Sequence, residues 1–258
     1  RPNGHPCPRH RPQRPPGLIA TTLQAVAATS QADLQATLTA RNVPFRAYWL
    51  VNGMALTADA ALLAELARHP AVAEIYSDAW FPGQLATADY GPLPAPTNIQ
   101  WGVLKVQADV LWQFGFTGQG VVVGGADTGI AWQHPNLQPN YRGWNGSTAD
   151  HNYHWWDAVH VTGSSCGASS ASPCDDGNHG THTIGTAVAA NGYGVAPGAN
   201  WIGCRNMNNG WGTPSRYIEC LQFFLAPTDL NGNNPNPALH ADVVVNSYYC
   251  PAEEGCNV

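Results

Sequence analysis

Imidazole and carboxylate side chains are concentrated in residues 174–192, which read CDDGNHGTHTIGTAVAANG. Such groups serve either metal binding or acid–base catalysis. His179 and His182 lie three positions apart, and Asp175 or Asp176 could supply a carboxylate ligand. The helix of zinc proteases instead carries histidines at i and i+4 with a glutamate between them, and this segment has no glutamate. A metal-dependent hydrolase using His179, His182 and Asp175 therefore stays an alternative hypothesis.

A catalytic base explains more of this pattern. A general base needs an imidazole whose second nitrogen is held by an acceptor, usually a buried carboxylate. Upstream, the β-branched run GVVVGGAD ends in Asp127, which predicts a carboxylate at the end of a buried parallel strand. His179 begins a predicted helix, and Gly180 allows that helix to approach the strand closely. The residues therefore predict an Asp127–His179 pair, with His182 in a structural role that points toward the protein.

The composition argues against several other classes of function. The chain of 258 residues has a formal net charge of −6, and no basic stretch suggests nucleic acid as a partner. No apolar run reaches about 18 residues, so no membrane-spanning segment is predicted. No cysteine pair has zinc spacing, and no cofactor is expected. Cys166 with Cys174 and Cys250 with Cys256 flank short loops, which suits local disulfides and a secreted protein, although the pairing stays open.

The chain divides into four parts. Residues 1–17 are rich in proline and arginine and predict a disordered tail. Residues 18–78 predict a small α+β domain, residues 79–97 a proline-rich linker with a processing region, and residues 98–258 a larger domain. In the larger domain, two short apolar runs, VVVGGAD and DVVVN, alternate with helical stretches. That alternation predicts an α/β fold with a doubly wound parallel sheet.

The small domain shows the order β-α-β-β-α-β, which is the ferredoxin-like arrangement. Residues 17–26, GLIATTLQAV, predict its first strand, and residues 71–78, AVAEIYSD, predict its last. Between them a leucine-bearing helix precedes a hairpin, with a favoured two-residue turn at Asn52-Gly53. This fold hosts many unrelated activities, so it says little about function.

Two segments of the larger domain carry a specific resemblance to a known family. VVVGGADTGI and DDGNHGTHTIGTAVA look like the Asp and His signatures of the subtilisin family of serine proteases, and GVAPGANWIGCRNM and ADVVVNSYYC follow in that family's order. The loop YRGWNGSTADHNYHWW resembles the bacillopeptidase F-like branch of the family. Residues 18–78 are similar to the inhibitory propeptide of these enzymes, with VNGMALTADAALLAELARHPAVAEIYSD as the matching part.

The resemblance implies a role for each matching position. Asp127 would orient the catalytic base, and His179 would be that base. A polypeptide substrate would add as an extended strand between two edges of the cleft. Residues 18–78 would act as an intramolecular chaperone and inhibitor whose C-terminal tail occupies the same cleft. The substrate-binding residues that the resemblance implies are Trp211, Gly212, Ser247, Tyr248 and Tyr249.

The chain departs from the family pattern at the nucleophile. The family's serine lies in a Gly-Thr-Ser signature, but Gly-Thr is followed here by His, Ala or Pro, and Ser247 is the only serine after Ser215. The family's oxyanion-hole asparagine is also absent, and residues 190–193 are too short for a calcium loop. We therefore expect the precursor of a secreted serine endopeptidase, inactive as a lone chain, with the serine in a missing C-terminal half. A non-catalytic, peptide-binding pseudoprotease is the alternative.

Overall fold

The structure is a computed structural model that describes residues 15–83 and 99–249. Most of the predicted tail, most of the predicted linker and the pair Cys250 and Cys256 lie outside the described residues. We refer to residues 15–83 as the N-terminal region and to residues 99–249 as the C-terminal region. No helix within these two regions is long and apolar enough to cross a membrane.

The N-terminal region packs two helices against a hairpin. Leu34 and Leu38 lie four positions apart on one helix and Leu62 and Leu66 on another, so each helix presents a leucine stripe to a shared core. The hairpin strands pair in antiparallel fashion and close this core from one side. The elements of the region are α1 (Pro16–Ser30), α2 (Ala32–Ala40), β1 (Phe45–Tyr48), β2 (Gly53–Leu56), α3 (Ala60–Leu66) and β3 (Phe81–Pro82).

The prediction of a strand at residues 17–26 is wrong, because the segment lies inside α1. Pro16 stands at the first helical position, where proline is favoured, and the alanines that follow are the best helix formers. Residues 71–78, predicted as the last strand, form no strand either. The ferredoxin-like sheet is therefore reduced, in the part of the chain that the structure describes, to the hairpin of β1 and β2.

The hairpin itself is confirmed, but its turn differs from the prediction. Tyr48 pairs directly with Gly53, so the loop comprises residues 49–52 rather than the dipeptide Asn52-Gly53. Asn52 nevertheless has the left-handed conformation (φ 50°) that asparagine tolerates in turns.

The C-terminal region is built on a parallel sheet in the order β5-β6-β4-β9. The two apolar runs predicted as buried strands form β4 and β9, and the predicted helices form α6 and α7. Its elements are α4 (Trp101–Lys105), α5 (Ala108–Gln113), β4 (Val122–Asp127), β5 (Trp155–Asp157), α6 (His179–Val188), β6 (Asn200–Arg205), β7 (Met207–Asn208), β8 (Trp211–Gly212), α7 (Pro214–Leu225) and β9 (Val243–Asn246), with 3₁₀ turns at Gln138–Asn140 and Pro237–Leu239.

Helices cover both faces of this sheet. Val123 of β4 shares a buried cluster with Ile184 of α6, whereas Ala126 shares another with Phe224 of α7. Successive side chains of a strand point to opposite faces, so the two helices pack on opposite sides. A Cβ on Gly124 would lie 2.7 Å from the Phe224 ring, so glycine is needed there for α7 to pack closely. The predicted doubly wound α/β fold is therefore confirmed.

Two disulfides lie in the C-terminal region. Cys166–Cys174 closes a short loop, as one of the predicted local pairs. Cys204–Cys220 joins β6 to α7, and both of its cysteines are fully buried. The second bridge was not predicted as a pair, because its partners become neighbours only when α7 packs on the sheet.

A buried carboxylate on α7 contacts the N-terminal region. Glu219, which is 7% exposed, accepts hydrogen bonds from Trp156 Nε1 (2.7 Å) and His160 Nε2 (2.8 Å) of the C-terminal region and from Arg46 Nη1 (2.8 Å) of β1. Burial acts to raise the pKa of Glu219, but the partners His160, Arg46 and Trp156 outweigh it, and the pKa lies below its ordinary value. Glu219 is therefore an ionised anchor for Arg46.

Two further contacts extend this interface along α7. The backbone amides of Trp49 and Leu50, in the hairpin loop, donate to Gln222 Oε1 at 2.9 and 3.2 Å. The carboxylate of Asp78 accepts from the amide of Ser215 at 2.8 Å, at the start of α7. One face of α7 therefore packs on the sheet, while polar groups at Ser215, Glu219 and Gln222 receive the N-terminal region.

We predict that Arg46→Met loosens this interface. Hydrogen bonds to charged groups contribute about 1.5–3 kcal/mol, so the amides of Trp49 and Leu50 should exchange with solvent about tenfold faster or more, as measured by hydrogen-exchange mass spectrometry. Arg41→Met is the matched control, because it breaks an exposed pair with Glu65 inside the N-terminal region. Equal exchange rates in the two variants would contradict the anchor role of Glu219.

Candidate active site

Asp127 and His179 meet at the carboxyl edge of the parallel sheet. Asp127 is the last residue of β4 and is 2% exposed, and His179 is the first residue of α6. The distance between Asp127 Oδ1 and His179 Nδ1 is 2.8 Å. The structure therefore brings together the two residues that the sequence paired, in the predicted positions at a strand end and a helix start.

Glycine at position 180 allows this contact. A Cβ on Gly180 would overlap the carbonyl oxygen of Gly129 and would lie 2.9 Å from the Cβ of Asp127. Any larger residue would push the first turn of α6 away from the end of β4. The role predicted for Gly180 is thus supported by the packing.

The environment of Asp127 fixes the orientation of the imidazole. Oδ1 accepts from the amide of Thr128 at 2.7 Å as well as from His179, and Oδ2 accepts from the hydroxyl of Thr183 at 3.4 Å. Burial raises the pKa of Asp127, although its hydrogen bonds with His179 and Thr128 oppose the shift. With the carboxylate ionised, Nδ1 carries the proton and Nε2 is left to act as a base.

Asp175 holds the start of α6 and was missed as a positioning residue. The N-cap residue of the helix, Asn178, makes no side-chain cap bond. Instead, Asp175 Oδ2 accepts from the amide of Thr181 at 2.8 Å and also from its hydroxyl. Asp175 Oδ1 accepts from Thr128 Oγ1 at 2.7 Å, and the same hydroxyl accepts from the amide of Gly180 at 3.0 Å. A carboxylate near a helix N-terminus is also favoured by the helix dipole.

These contacts leave the metal hypothesis without support. Nδ1 of His179 is bound to Asp127, and both oxygens of Asp175 are bound to protein donors. Among residues 15–83 and 99–249, no group of three His, Cys, Asp or Glu side chains is placed to hold a metal ion. The prediction that His182 points toward the protein is wrong, because His182 is exposed on the outer face of α6, whose buried face is formed by Gly180, Ile184 and Val188.

A buried ion cluster fixes the loop that leads to α6. Arg205 is fully buried at the end of β6, opposite Asp127 in the sheet. Its Nε donates to Asp157 Oδ1 at 3.0 Å, and its Nη1 donates to Asp176 Oδ2 at 3.2 Å. Its Nη2 donates to the carbonyl of Gly167 at 2.6 Å, inside the loop closed by the first disulfide. The guanidinium therefore ties the sheet to the segment that carries Asp175.

Three of the predicted substrate-binding residues, Ser247, Tyr248 and Tyr249, follow the strand next to β4. β9 ends at Asn246, which pairs with Ala126, so residues 247–249 continue beside the end of β4. Tyr248 stacks on Tyr217 of α7 with ring centroids 4.9 Å apart, and its hydroxyl accepts from Asn206 Nδ2 at 3.0 Å. Tyr249 is largely exposed. Their role in substrate binding stays a prediction.

Trp211 and Gly212 form β8, and β8 already pairs with an extended segment. Phe81 of β3 pairs with Gly212, and Pro82 pairs with Trp211, in antiparallel register. The pairing continues past β3, where the amide of Gly83 donates to the carbonyl of Gly210 at 2.7 Å. The first residues of the predicted linker are therefore an added strand rather than a free connection.

A buried aspartate at a strand end that holds a helix-opening histidine is the geometry expected of the acid–base pair in a nucleophilic hydrolase. The subtilase family model matches residues 118–248, which is about half of the chain. The chain belongs to the subtilase family, the subtilisin-like serine proteases.

Individual relatives extend the comparison to the N-terminal region. Bacillopeptidase F of Bacillus subtilis (strain 168) is 32% identical over 250 residues, which are 89% of this chain and 17% of the relative. Subtilisin Savinase of Lederbergia lenta is 30% identical over 159 residues, or 58% of this chain and 51% of the relative. Minor extracellular protease Vpr of Bacillus subtilis (strain 168) is 35% identical over 121 residues, or 45% of this chain and 14% of the relative. The chain therefore spans about half or less of the length of these relatives.

We predict that Asp127→Asn and Asp175→Asn change stability in opposite directions. The folded-state pKa of Asp127 is raised, so the folded protein loses stability as pH rises from about 4 through that pKa. The amide of Asp127→Asn removes this cost, and the variant should be at least as stable as the wild type at pH 8, with the advantage shrinking toward pH 4. Urea unfolding at several pH values measures both effects.

Asp175→Asn is the matched control for this substitution. Both oxygens of Asp175 accept from donors, so an amide nitrogen would face a donor and lower the free energy of unfolding by about 1–3 kcal/mol. An Asp127→Asn variant that is less stable than the wild type at pH 8 would contradict the prediction for Asp127. It would show that hydrogen bonds fully offset the cost of burying the Asp127 charge.

We predict that Arg205→Met lowers the free energy of unfolding by about 3–5 kcal/mol, because it leaves Asp157 and Asp176 as buried carboxylates without their cation. Denaturant unfolding monitored by tryptophan fluorescence measures the change. Arg41→Met, which breaks an exposed pair, should cost about 0–1 kcal/mol. A similar small loss in both variants would contradict the structural role of Arg205.

Proposed function

We propose that this chain contributes the acid–base half of a subtilisin-like serine endopeptidase. The observation that carries the proposal is the 2.8 Å hydrogen bond between the buried Asp127 and His179 at the carboxyl edge of the sheet. The 258 residues contain no Gly-Thr-Ser signature. In this proposal the nucleophilic serine and the oxyanion-hole asparagine come from polypeptide outside them. The 258 residues alone do not hydrolyse peptides.

Exposed apolar surface supports a site that is completed by further polypeptide. β9 is an edge strand of the described sheet, and Val243 in it is exposed. Trp101 on α4 and Phe114, directly after α5, are more than two-thirds exposed. Unpaired strand edges and large apolar patches mark surfaces that another polypeptide covers.

In the proposed reaction His179 moves the proton. Nε2 takes the proton from the serine hydroxyl as its oxygen attacks the peptide carbonyl, and Asp127 stabilises the imidazolium that forms. The imidazolium then gives this proton to the nitrogen of the leaving amine, and the peptide bond breaks. Water repeats the cycle on the acyl-enzyme, so His179 ends in its starting state.

Polypeptide substrates bind in this proposal as an added strand. Trp211 and Gly212 offer one edge, and Ser247, Tyr248 and Tyr249 offer the other. The pairing of Phe81 and Pro82 with β8 supports this, since it places an extended segment on the first of these edges. Main-chain hydrogen bonds provide the affinity, and the side-chain pockets provide selection.

The N-terminal region acts in this proposal as a propeptide that chaperones and inhibits the enzyme. Its contacts with α7 at Ser215, Glu219 and Gln222, together with β3 on β8, support this role because they place it across one edge of the cleft. The two disulfides support secretion into an oxidising compartment.

A fluorophosphonate probe, which tags activated serines, tests the proposal on protein purified from its source. Denaturing intact-mass and peptide analysis should find the tag on a serine outside these 258 residues. Tagging of Ser247 would contradict the assignment of the nucleophile. The absence of any tag would favour a non-catalytic, peptide-binding pseudoprotease.

We predict that His179→Ala abolishes the tagging, because the serine then has no base. His182→Ala is the matched control on the same helix, where the exposed imidazole has no part in proton transfer, and it should leave the tagging rate unchanged. Loss of tagging in both variants would contradict the division of roles between the two histidines.

A further inference from the structure

Gly83 lies against Met207 where the added strand continues past β3. Its amide donates to the carbonyl of Gly210 at 2.7 Å, which fixes the backbone of the strand at this point. A Cβ on Gly83 would lie 2.7 Å from Cε and 2.8 Å from Sδ of Met207, and 3.2 Å from the Gly210 carbonyl oxygen. Favourable carbon contacts lie at about 3.5–4.0 Å, so a methyl group would fit only if the end of the Met207 side chain moved.

Met207 can make room for a methyl group only by moving. Thioether side chains are flexible, but Met207 is 0% exposed with residues 81–83 paired to β8, so it would have to displace buried neighbours. Both its sulfur and its methyl group would have to move. The Gly210 carbonyl is held by the hydrogen bond to Gly83 itself, so it cannot retreat without breaking the strand pairing.

The side chains of the two preceding residues, Phe81 and Pro82, differ in their exposure. Side chains alternate along a strand, so Phe81 points to the same side as position 83, and Pro82 points to the other. Phe81 is half-buried opposite Gly212, and Pro82 is exposed. Positions 81 and 83 thus face the C-terminal region, whereas Pro82 is exposed although its backbone pairs with Trp211.

We propose that Met207 is a specificity-determining residue that favours glycine at the position of Gly83 in a peptide paired with β8. The class of ligand is an extended peptide with an apolar or aromatic residue two positions before a glycine. This inference rests on the proposed function, because it assumes that substrates use the edge that residues 81–83 occupy.

Hydrogen-exchange mass spectrometry on the 258-residue protein tests the inference through Gly83→Ala. The backbone amides of Phe81 and Gly83 should exchange at least tenfold faster than in the wild type. The amide of Ser215, bonded to Asp78, should stay protected, since docking on α7 is separate. Gly102→Ala is the matched control, because a Cβ there meets nothing within 4 Å. Wild-type protection in Gly83→Ala would overturn the proposal.

Shortening the Met207 side chain provides a second test. Gly83→Ala combined with Met207→Ala should restore most of the lost protection, and Met207→Val serves as a milder truncation if Met207→Ala fails to fold. Absence of rescue in a folded double variant would show that the Gly210 carbonyl, rather than Met207, excludes the methyl group, and would also overturn the proposal.

The readout separates this inference from the proposed function. Hydrogen exchange requires no serine chemistry, so rescue without fluorophosphonate tagging would indicate a glycine-selective groove without hydrolysis. Tagging together with unchanged exchange in Gly83→Ala would indicate a protease whose selection does not depend on Met207.

Discussion

The geometry of the candidate site depends on the burial of one carboxylate, that of Asp127. Asp127 ends a strand that is packed on both faces, so its charge leaves water at a cost of several kcal/mol unless donors surround it. The donors are the amide of Thr128, the imidazole of His179 and the hydroxyl of Thr183. Because two of these three belong to α6, satisfying the carboxylate fixes both the distance and the rotation of that helix. The hydrogen bonds that compensate for burying the Asp127 charge therefore also set the position of the His179 imidazole.

A second carboxylate supports the helix from its other side. Asp175 binds the amide of Thr181, and the hydroxyl of Thr128 links it back to the strand that carries Asp127. The two aspartates therefore differ in function: Asp127 orients the imidazole, and Asp175 orients the helix that bears it. Arg205 completes the arrangement by tying the loop before α6 to the sheet. Proton transfer benefits from such preorganisation, because misplacement of about 1 Å can cost about 10²-fold in rate.

Sequence patterns predicted those parts of the site that depend on residues close together in the chain. A β-branched run predicts a buried strand, and a histidine followed by glycine at a helix start predicts close approach. The separate roles of Asp175 and Asp176 were not predictable, because adjacent aspartates look alike until the fold turns one toward Thr128, 47 positions away, and the other toward Arg205. The strand prediction for α1 is wrong because a short apolar segment does not distinguish a helix from a strand by its hydrophobic periodicity. Pro16, at the first helical position, is the residue that indicates a helix start.

The two kinds of contact between the regions have different consequences. The contacts of Arg46 with Glu219 and of the hairpin-loop amides with Gln222 depend on the folded hairpin of the N-terminal region. The pairing of β3 with β8 uses backbone groups that any extended segment carries. In the proposed function this edge would serve both the N-terminal region and a polypeptide substrate. Since the backbone pairing favours neither, the contacts on α7 would then decide which of the two occupies the cleft.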